Sequence, residues 1–294
     1  MVMVTFAVVY SMRISFFAIA IASLLALSGC PDKDKHASIE AMNEGIKAAQ
    51  LNSYTKAIKQ LEKAVKLYND NHQAWYTLGQ IYSDQKKWEE AVEALEEAVR
   101  AKKDDAMYQM LLGIAEYNQG KGEVAQKYLE RAVELEERLA RAHFYLGRVY
   151  EDKDQPQDAA KEWTRAAMLD PTYGKPFVYL GKMYLTWDMV SEAIQVLEQG
   201  KDYVLGEDLT NVFYYLGLAY DAEKKWDKSI EAYSAAIDAE KSNLDAKFQR
   251  GLAYAKKGDK GKARADLQEY VKAAGDNSYN KQEANKALMT LIAE

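Results

Sequence analysis

The chain has 294 residues, of which 48% are hydrophobic and 29% are charged, and its formal net charge is −6 at pH 7. Binding to nucleic acid needs a clustered positive surface, and this mildly acidic chain has neither a basic tail nor a dense run of lysine. A single cysteine excludes a disulfide bond within the chain. We therefore expect no nucleic acid partner and no internal disulfide.

The N-terminal segment differs from the rest of the chain. Residues 1–29 contain one charged residue, Arg13, and an apolar run that ends in small residues directly before Cys30. Such a run is typical of a secretory signal, and it is shorter than the roughly 20 residues that a membrane-spanning helix needs. The letters LSGC at positions 27–30 resemble the bacterial lipobox, which implies that Cys30 is lipidated and becomes the first mature residue. The alternative is an uncleaved membrane anchor formed by residues 1–27.

Two translation starts fit this segment. Residues 1–11 carry no charge, whereas Met12 and Arg13 would begin an ordinary signal, so we favour Met12 over Met1 as a hypothesis. Residues 30–37 are predicted to form a polar tether behind the lipid. The expected localisation is the cell envelope. The sequence does not decide between the inner and the outer membrane, and we expect the outer membrane, with the protein facing the periplasm.

A repeat dominates the rest of the chain. Seven glycines recur with a step of 34 residues five times and 36 residues once, and a fixed period of this length indicates a repeat architecture. A small residue follows each glycine by twelve positions, and a large apolar residue follows it by sixteen. Spacings of three and four indicate helices, so each unit is predicted to form two antiparallel helices. The glycines are Gly45, Gly79, Gly113, Gly147, Gly181, Gly217 and Gly251.

This pattern resembles the tetratricopeptide repeat family over about residues 38–275. It is clearest where the letters WYTLGQIY at positions 75–82 are followed by Ala91, Leu95 and Ala98. The resemblance implies an all-α fold, a right-handed superhelical solenoid of about seven helix–turn–helix repeats with a concave inner face. The repeats are expected within residues 38–279, with starts near positions 38, 72, 106, 140, 174, 210 and 244.

Two segments lie outside the regular period. Residues 280–294 are predicted to form a C-terminal capping helix, with an apolar stripe that includes Ala284 and Leu291. Two extra residues within 201–208 lengthen one step, and this insertion either bends the solenoid, offers a second contact or is neutral.

The sequence contains no recognisable catalytic or metal-binding motif. Its three histidines, His36, His72 and His143, form no ligand pattern, and the motifs of zinc proteases, serine hydrolases and phosphate-binding loops are absent. His143 occupies a position where other repeats carry aromatic residues, which favours a packing role. We therefore predict no enzymatic activity, no catalytic residue, no cofactor and no metal.

The predicted functional surface is a peptide-binding groove on the concave face. If the first helix of each repeat lines this face, as in the family, side chains three residues before and one residue after each glycine point into it. Arg141 and Lys175, six residues before their glycines, add to the basic residues there. The groove would be apolar toward both ends and basic in the middle, which suits an amphipathic helix or an extended segment with an acidic patch. The alternative is that these side chains pack against one another. The candidate residues are Tyr76, Met110, Ile114, Arg141, Phe144, Arg148, Lys175, Val178, Lys182, Tyr214, Leu218 and Phe248.

Lipobox and repeats together predict a membrane-anchored scaffold that binds protein partners during assembly of a bacterial envelope complex. The arrangement resembles pilotins, which help type IV pilus secretins to assemble in the outer membrane. The alternative is an accessory regulator that binds a peptidoglycan-processing enzyme or the barrel-assembly machinery.

Overall fold

The computed structural model describes residues 33–275 and 279–293, and this part of the chain forms fifteen α-helices and no β-strand. The helices are α1 (Lys33–Gln50), α2 (Tyr54–Leu67), α3 (His72–Asp84), α4 (Trp88–Ala101), α5 (Ala106–Asn118), α6 (Gly122–Leu135), α7 (Ala140–Asp152), α8 (Pro156–Leu169), α9 (Lys175–Thr186), α10 (Val190–Lys201), α11 (Glu207–Ala222), α12 (Trp226–Ala239), α13 (Leu244–Lys257), α14 (Lys260–Ala273) and α15 (Tyr279–Ala293).

The helices form an all-α solenoid of seven pairs followed by a last helix. Each extensive helix–helix contact joins helices no more than two positions apart in the chain. Most odd-numbered helices contact the next odd-numbered helix, whereas no comparable contact joins two even-numbered helices in the described part. The odd-numbered helices therefore lie on the inside of the curve, and we call α1 to α13 in odd order the inner helices.

The recurrent glycines let the two helices of each pair approach closely. A Cβ atom added at any of the seven would lie less than 3.0 Å from the side chain sixteen residues later, so the glycine is required where it stands. At Gly147 the partner is Trp163, and at Gly217 it is Tyr233. The glycine and the large residue thus form one packing unit. The remaining partners are Leu61, Leu95, Leu129, Leu197 and Leu267.

Helix α1 begins earlier than the sequence suggested. It starts at Lys33, so five residues of the predicted tether are helical. Ser38 is fully buried, and its hydroxyl donates to the carbonyl of Ala64 at 2.7 Å and accepts from Asn71 Nδ2 at 2.8 Å. These hydrogen bonds hold the first turns of α1 against α2 and the start of α3. Residues 32–37 contain no glycine or proline that would interrupt a helix. Residues 1–32, with Cys30 and the predicted signal, lie outside the described residues.

The insertion between α10 and α11 is part of the core. Val204 is 2% exposed and belongs to the same buried cluster as Phe177 and Leu216. Its side chain lies so close to Gly174 that a Cβ there would contact it. Gly206, with a φ of 68°, then turns the chain into α11. The extra residues therefore replace core contacts of a regular repeat, and α11 begins at Glu207, three residues before the predicted repeat start.

The last helix covers the end of the solenoid. Ala284 and Leu291 of α15 are buried against Leu267 and Tyr270 of α14. The helix begins at Tyr279, one residue before the predicted boundary. Among the described residues, none of the helices has both the length and the apolar character needed to cross a membrane.

Candidate functional site: the inner groove

The inner helices form a groove, but four of the predicted groove residues do not face it. Phe144 is 1% exposed because the rings of Tyr145, Tyr173 and Tyr179 surround it, each with its centroid 5.3 Å away. A buried side chain cannot anchor a ligand, so the prediction is wrong for these four positions. They lie at the junctions between repeats and stabilise the solenoid. The four are Met110, Ile114, Phe144 and Phe248.

The other predicted residues retain access to solvent. Tyr76, Arg148, Val178, Tyr214 and Leu218 are half-buried. Arg141, Lys175 and Lys182 are exposed, and none of the three forms an ion pair with another residue in the described part of the chain. The accessible part of the prediction is thus mainly cationic and aromatic.

A row of tyrosines lies on the inner helices at a position that the sequence analysis did not select. Tyr145, Tyr179 and Tyr215 each stand two residues before the repeat glycine, on the successive inner helices α7, α9 and α11. We call these three residues the tyrosine ladder. All three are half-buried. The signal was present in the sequence, because these tyrosines recur with the same steps as the glycines.

Arg148 joins the tyrosine ladder to the preceding repeat. Its guanidinium carbon lies 4.8 Å from the ring centroid of Tyr179 and 5.4 Å from that of Tyr117, within the range of cation–π attraction. Burial disfavours the charged form, but the neighbouring Tyr179, Tyr117 and Glu151 raise the pKa of Arg148 above its ordinary value. The guanidinium is therefore charged at every physiological pH and is held between two rings.

Acidic side chains accompany the cations in the middle of the groove. Glu151 Oε2 lies 3.3 Å from Arg148 Nε, and Asp152 Oδ2 accepts a hydrogen bond of 2.7 Å from the Tyr117 hydroxyl. The predicted basic centre is thus partly neutralised, because both carboxylates stand one turn after the arginine on α7. The groups that remain accessible are hydrogen-bond donors on exposed lysine and arginine and on half-buried tyrosine.

The tyrosines of the groove are neutral donors. Burial raises the pKa of Tyr179, with Arg148 acting in the opposite direction, and burial also raises the pKa of Tyr215. Both phenols therefore keep their proton at physiological pH. The hydroxyls of Tyr145 and Tyr215 form no hydrogen bond with any other group of the described chain.

A second concavity lies away from the groove. A cleft of about 410 Å³ opens beside α10, α11 and α12, with Ala232 and Ala235 on one wall. Its carboxylate Glu198 already accepts hydrogen bonds from Lys201 and from the Tyr220 hydroxyl. No group of three or more potential metal-binding side chains occurs anywhere in residues 33–275 or 279–293.

Comparison with known families settles what kind of protein has this groove. Models of the tetratricopeptide repeat match residues 48–114, 110–173 and 214–278, which together make up more than half of the chain. The chain belongs to the tetratricopeptide repeat family. Proteins of this family act as scaffolds for protein–protein interaction. A search of curated proteins returned no match.

Solved tetratricopeptide repeat structures share the fold. The chain is similar to PilF of Pseudomonas aeruginosa, with 16% identity and a TM-score of 0.64 over 73% of this chain and 96% of PilF. It is similar to PilW, a widely conserved type IV pilus biogenesis factor, with 16% identity and a TM-score of 0.59 over 68% of this chain and 92% of PilW. YrrB, which has an unusual peptide-binding site, gives 22% identity and a TM-score of 0.56 over 67% of this chain and all of YrrB.

Proposed function

We propose that this protein is a membrane-anchored adaptor that serves the assembly of a bacterial envelope complex, with delivery of a type IV pilus secretin as its leading role. It binds a partner through the inner groove and holds that partner close to the membrane. This role requires no catalytic residue in the protein.

The observation that carries the proposal is the position of Cys30. The only cysteine of the chain closes the lipobox-like letters LSGC, three residues before the first helix of the solenoid. A lipid on Cys30 would leave almost no free tether, since α1 begins at Lys33. The first repeat would then lie directly at the membrane surface. Two of the similar structures, PilF and PilW, are named for pilus proteins, which supports this choice among envelope machines.

Membrane fractionation and chemical cross-linking to the pilus secretin test the two halves of the proposal. Cys30→Ser removes the anchor and leaves the groove intact, so we expect the protein to leave the membrane fraction. Arg141→Glu with Lys182→Glu reverses two exposed cations of the groove, so we expect cross-linking to fall while the membrane association stays.

A matched control reverses two exposed cations on the even-numbered helices, with Lys127→Glu in α6 and Lys161→Glu in α8. This control should cross-link like the wild type. Cross-linking to a peptidoglycan-processing enzyme or to barrel-assembly subunits, with none to the secretin, would support the adaptor function and contradict the pilus role. An unchanged membrane fraction for Cys30→Ser would contradict lipid anchoring.

A further inference from the structure

The cleft beside α10, α11 and α12 lies where one repeat departs from the pattern of the others. We call it the α10–α12 cleft, and Ala235 lines it. Ala235 stands eighteen residues after the repeat glycine, where the other six repeats carry a long polar or charged side chain. These six residues are Lys63, Glu97, Arg131, Arg165, Gln199 and Glu269.

In three of the other repeats, this long side chain crosses toward the preceding repeat. It forms an ion pair with an opposite charge near the start of its own repeat. The pairs are Arg131 with Asp104, Arg165 with Glu137, and Glu269 with Lys247. Ala235 is too short to form such a pair, which leaves the α10–α12 cleft open.

The α10–α12 cleft has an apolar part and a charged edge. Phe213 of α11 and Ala232 of α12 line it together with Ala235, and its volume is about 410 Å³. Apolar surface that faces water is stabilised when an apolar side chain covers it. Lys228 and Glu231 of α12 also line the cleft, are exposed, and form no ion pair within the described residues. Along α12, a cation is thus followed by an anion and then by the small Ala235.

The last helix carries a row of exposed side chains with the opposite order of charges. Glu283, Lys286, Met289 and Ile292 of α15 follow one another at steps of three, and we call them the α15 ridge. Side chains at this spacing form a ridge that packs into the groove of another helix. Met289 and Ile292 are 71% and 72% exposed. Neither Glu283 nor Lys286 forms an ion pair with any group in residues 33–275 or 279–293.

The α15 ridge and the α10–α12 cleft match when the two helices α15 and α12 lie parallel. On α12 the cation precedes the anion by three residues, and on α15 the anion precedes the cation by three residues. Both pairs of opposite charges can therefore form at once. About one turn further along, α12 has the small Ala235 and α15 has the large Met289. The side chain that the cleft lacks is thus present on the ridge.

The occupant must come from a second molecule. Within one molecule, α15 packs against α13 and α14, whereas the α10–α12 cleft belongs to earlier repeats. The ridge therefore cannot reach the cleft of its own chain.

We propose that the α15 ridge of one molecule docks in the α10–α12 cleft of a second copy, with Glu283 on Lys228 and Lys286 on Glu231. Because the two surfaces differ, each copy keeps a free ridge or a free cleft after the first contact. Such head-to-tail assemblies grow until they close into a ring. One helix face covers less than the about 1,200–2,000 Å² of a standard interface, so the association is weak and depends on protein concentration.

Sedimentation equilibrium of the full chain in a density-matched detergent tests the proposal. Ala235→Arg restores the long side chain of the other repeats and fills the cleft. We expect the dissociation constant to rise about tenfold or more, because the apolar side chains of the ridge then stay in water. Gln199→Arg, at the equivalent exposed position of α10, is the matched control and should associate like the wild type. Circular dichroism checks that all variants keep their helices.

A mixture of two variants separates the contribution of the ridge from that of the cleft. Met289→Lys with Ile292→Lys removes the apolar part of the ridge and keeps the cleft, whereas Ala235→Arg keeps the ridge and closes the cleft. Each variant alone should be a monomer. Their equimolar mixture should form dimers and nothing larger, because only one ridge and one cleft remain in each pair.

An exchange of charges tests the register of the two helices. Lys228→Glu places a like charge against Glu283, so we expect the dissociation constant to rise about threefold, the modest effect of an exposed ion pair. Adding Glu283→Lys to the same chain should restore the association. The proposal would be overturned by a wild type that stays monomeric up to its solubility limit, by wild-type association of Ala235→Arg, by a mixture that stays monomeric, or by no recovery after the charge exchange.

Discussion

At the scale of single residues, the glycine of each repeat sets how closely its two helices pack. Gly147→Ala would place a methyl group against the Trp163 ring, and that ring cannot move away because Trp163 is fully buried and its Nε1 donates to the Phe144 carbonyl at 3.1 Å. Overpacking of this kind costs about 1–3 kcal/mol. We expect a lower unfolding temperature in a thermal melt followed by circular dichroism.

Gly122→Ala is the matched control for this change. Gly122 opens α6, and a Cβ there would meet no atom within 4 Å. Alanine is the better helix former by about 1 kcal/mol, so we expect this variant to melt at the wild-type temperature or above it. Equal destabilisation by both substitutions would contradict the packing role of Gly147.

His143 has a pH-dependent role in stability. Its Nδ1 lies 2.6 Å from Glu162 Oε2 and its Nε2 lies 2.9 Å from the Glu137 carbonyl. Both partners only accept, so the charged imidazolium, with two N–H donors, fits the site best. Burial opposes this charge, but the hydrogen bonds to Glu162 and Glu137 outweigh burial and raise the pKa of His143.

The pKa of His143 in the folded protein lies above its unfolded value of about 6.5. The stabilisation that protonated His143 gives to the fold is therefore complete below pH 6.5, and it is lost as the pH rises through the folded pKa. We expect the unfolding free energy of the wild type, relative to His143→Phe, to fall between pH 6 and pH 8. Urea unfolding at several pH values measures this difference. A difference that grows with pH would contradict the ion pair.

The residue scale also shows where sequence reasoning about the groove stopped. Neighbouring residues on a helix point about 100° apart, so a shift by one position exchanges the groove for the junction between repeats. Phe144 and Tyr145 differ in this way: the first is buried, and the second is half-buried. The period reveals which residues are equivalent, but the direction in which they point depends on how adjacent repeats pack.

At the scale of elements, the sequence predicted the helix pairs well, since the glycine and its large partner mark both helices of a pair. The insertion was harder to interpret, because its core residue lies in a loop without helical spacing. Val204→Ala should destabilise the protein by about 1–3 kcal/mol, since it removes two methyl groups from a cluster with Phe177 and Leu216.

Leu205→Ala tests the neighbouring position, where the side chain is 76% exposed. This variant should unfold at the same urea concentration as the wild type. If Val204→Ala also unfolds at the wild-type concentration, the insertion is neutral and does not hold α9 and α11 together.

At the scale of the whole molecule, stability should follow the order of the repeats. Each repeat contacts mainly its neighbours, and such solenoids lose structure locally from an uncovered end. Removal of residues 279–294 uncovers Leu267 and Tyr270, so we expect faster amide hydrogen exchange in α13 and α14 and unchanged exchange in α3 to α8. Met289→Ala, at a side chain that is 71% exposed, is the control. Faster exchange along the entire chain would show that the solenoid unfolds as one unit.

The chain of neighbour contacts also determines how the protein responds to force. When the two ends of the solenoid are pulled apart, every junction between repeats bears the same force. The molecule therefore lengthens by small rotations at the junctions, while the hydrophobic core of each repeat stays intact. At the junction between α7 and α9 the two helices lack the close backbone approach of the other inner pairs and meet through the rings of Phe144 and Tyr179. A rotation at this junction under load would change the distance between Tyr145 and Tyr179, and with it the shape of the groove that a bound partner meets.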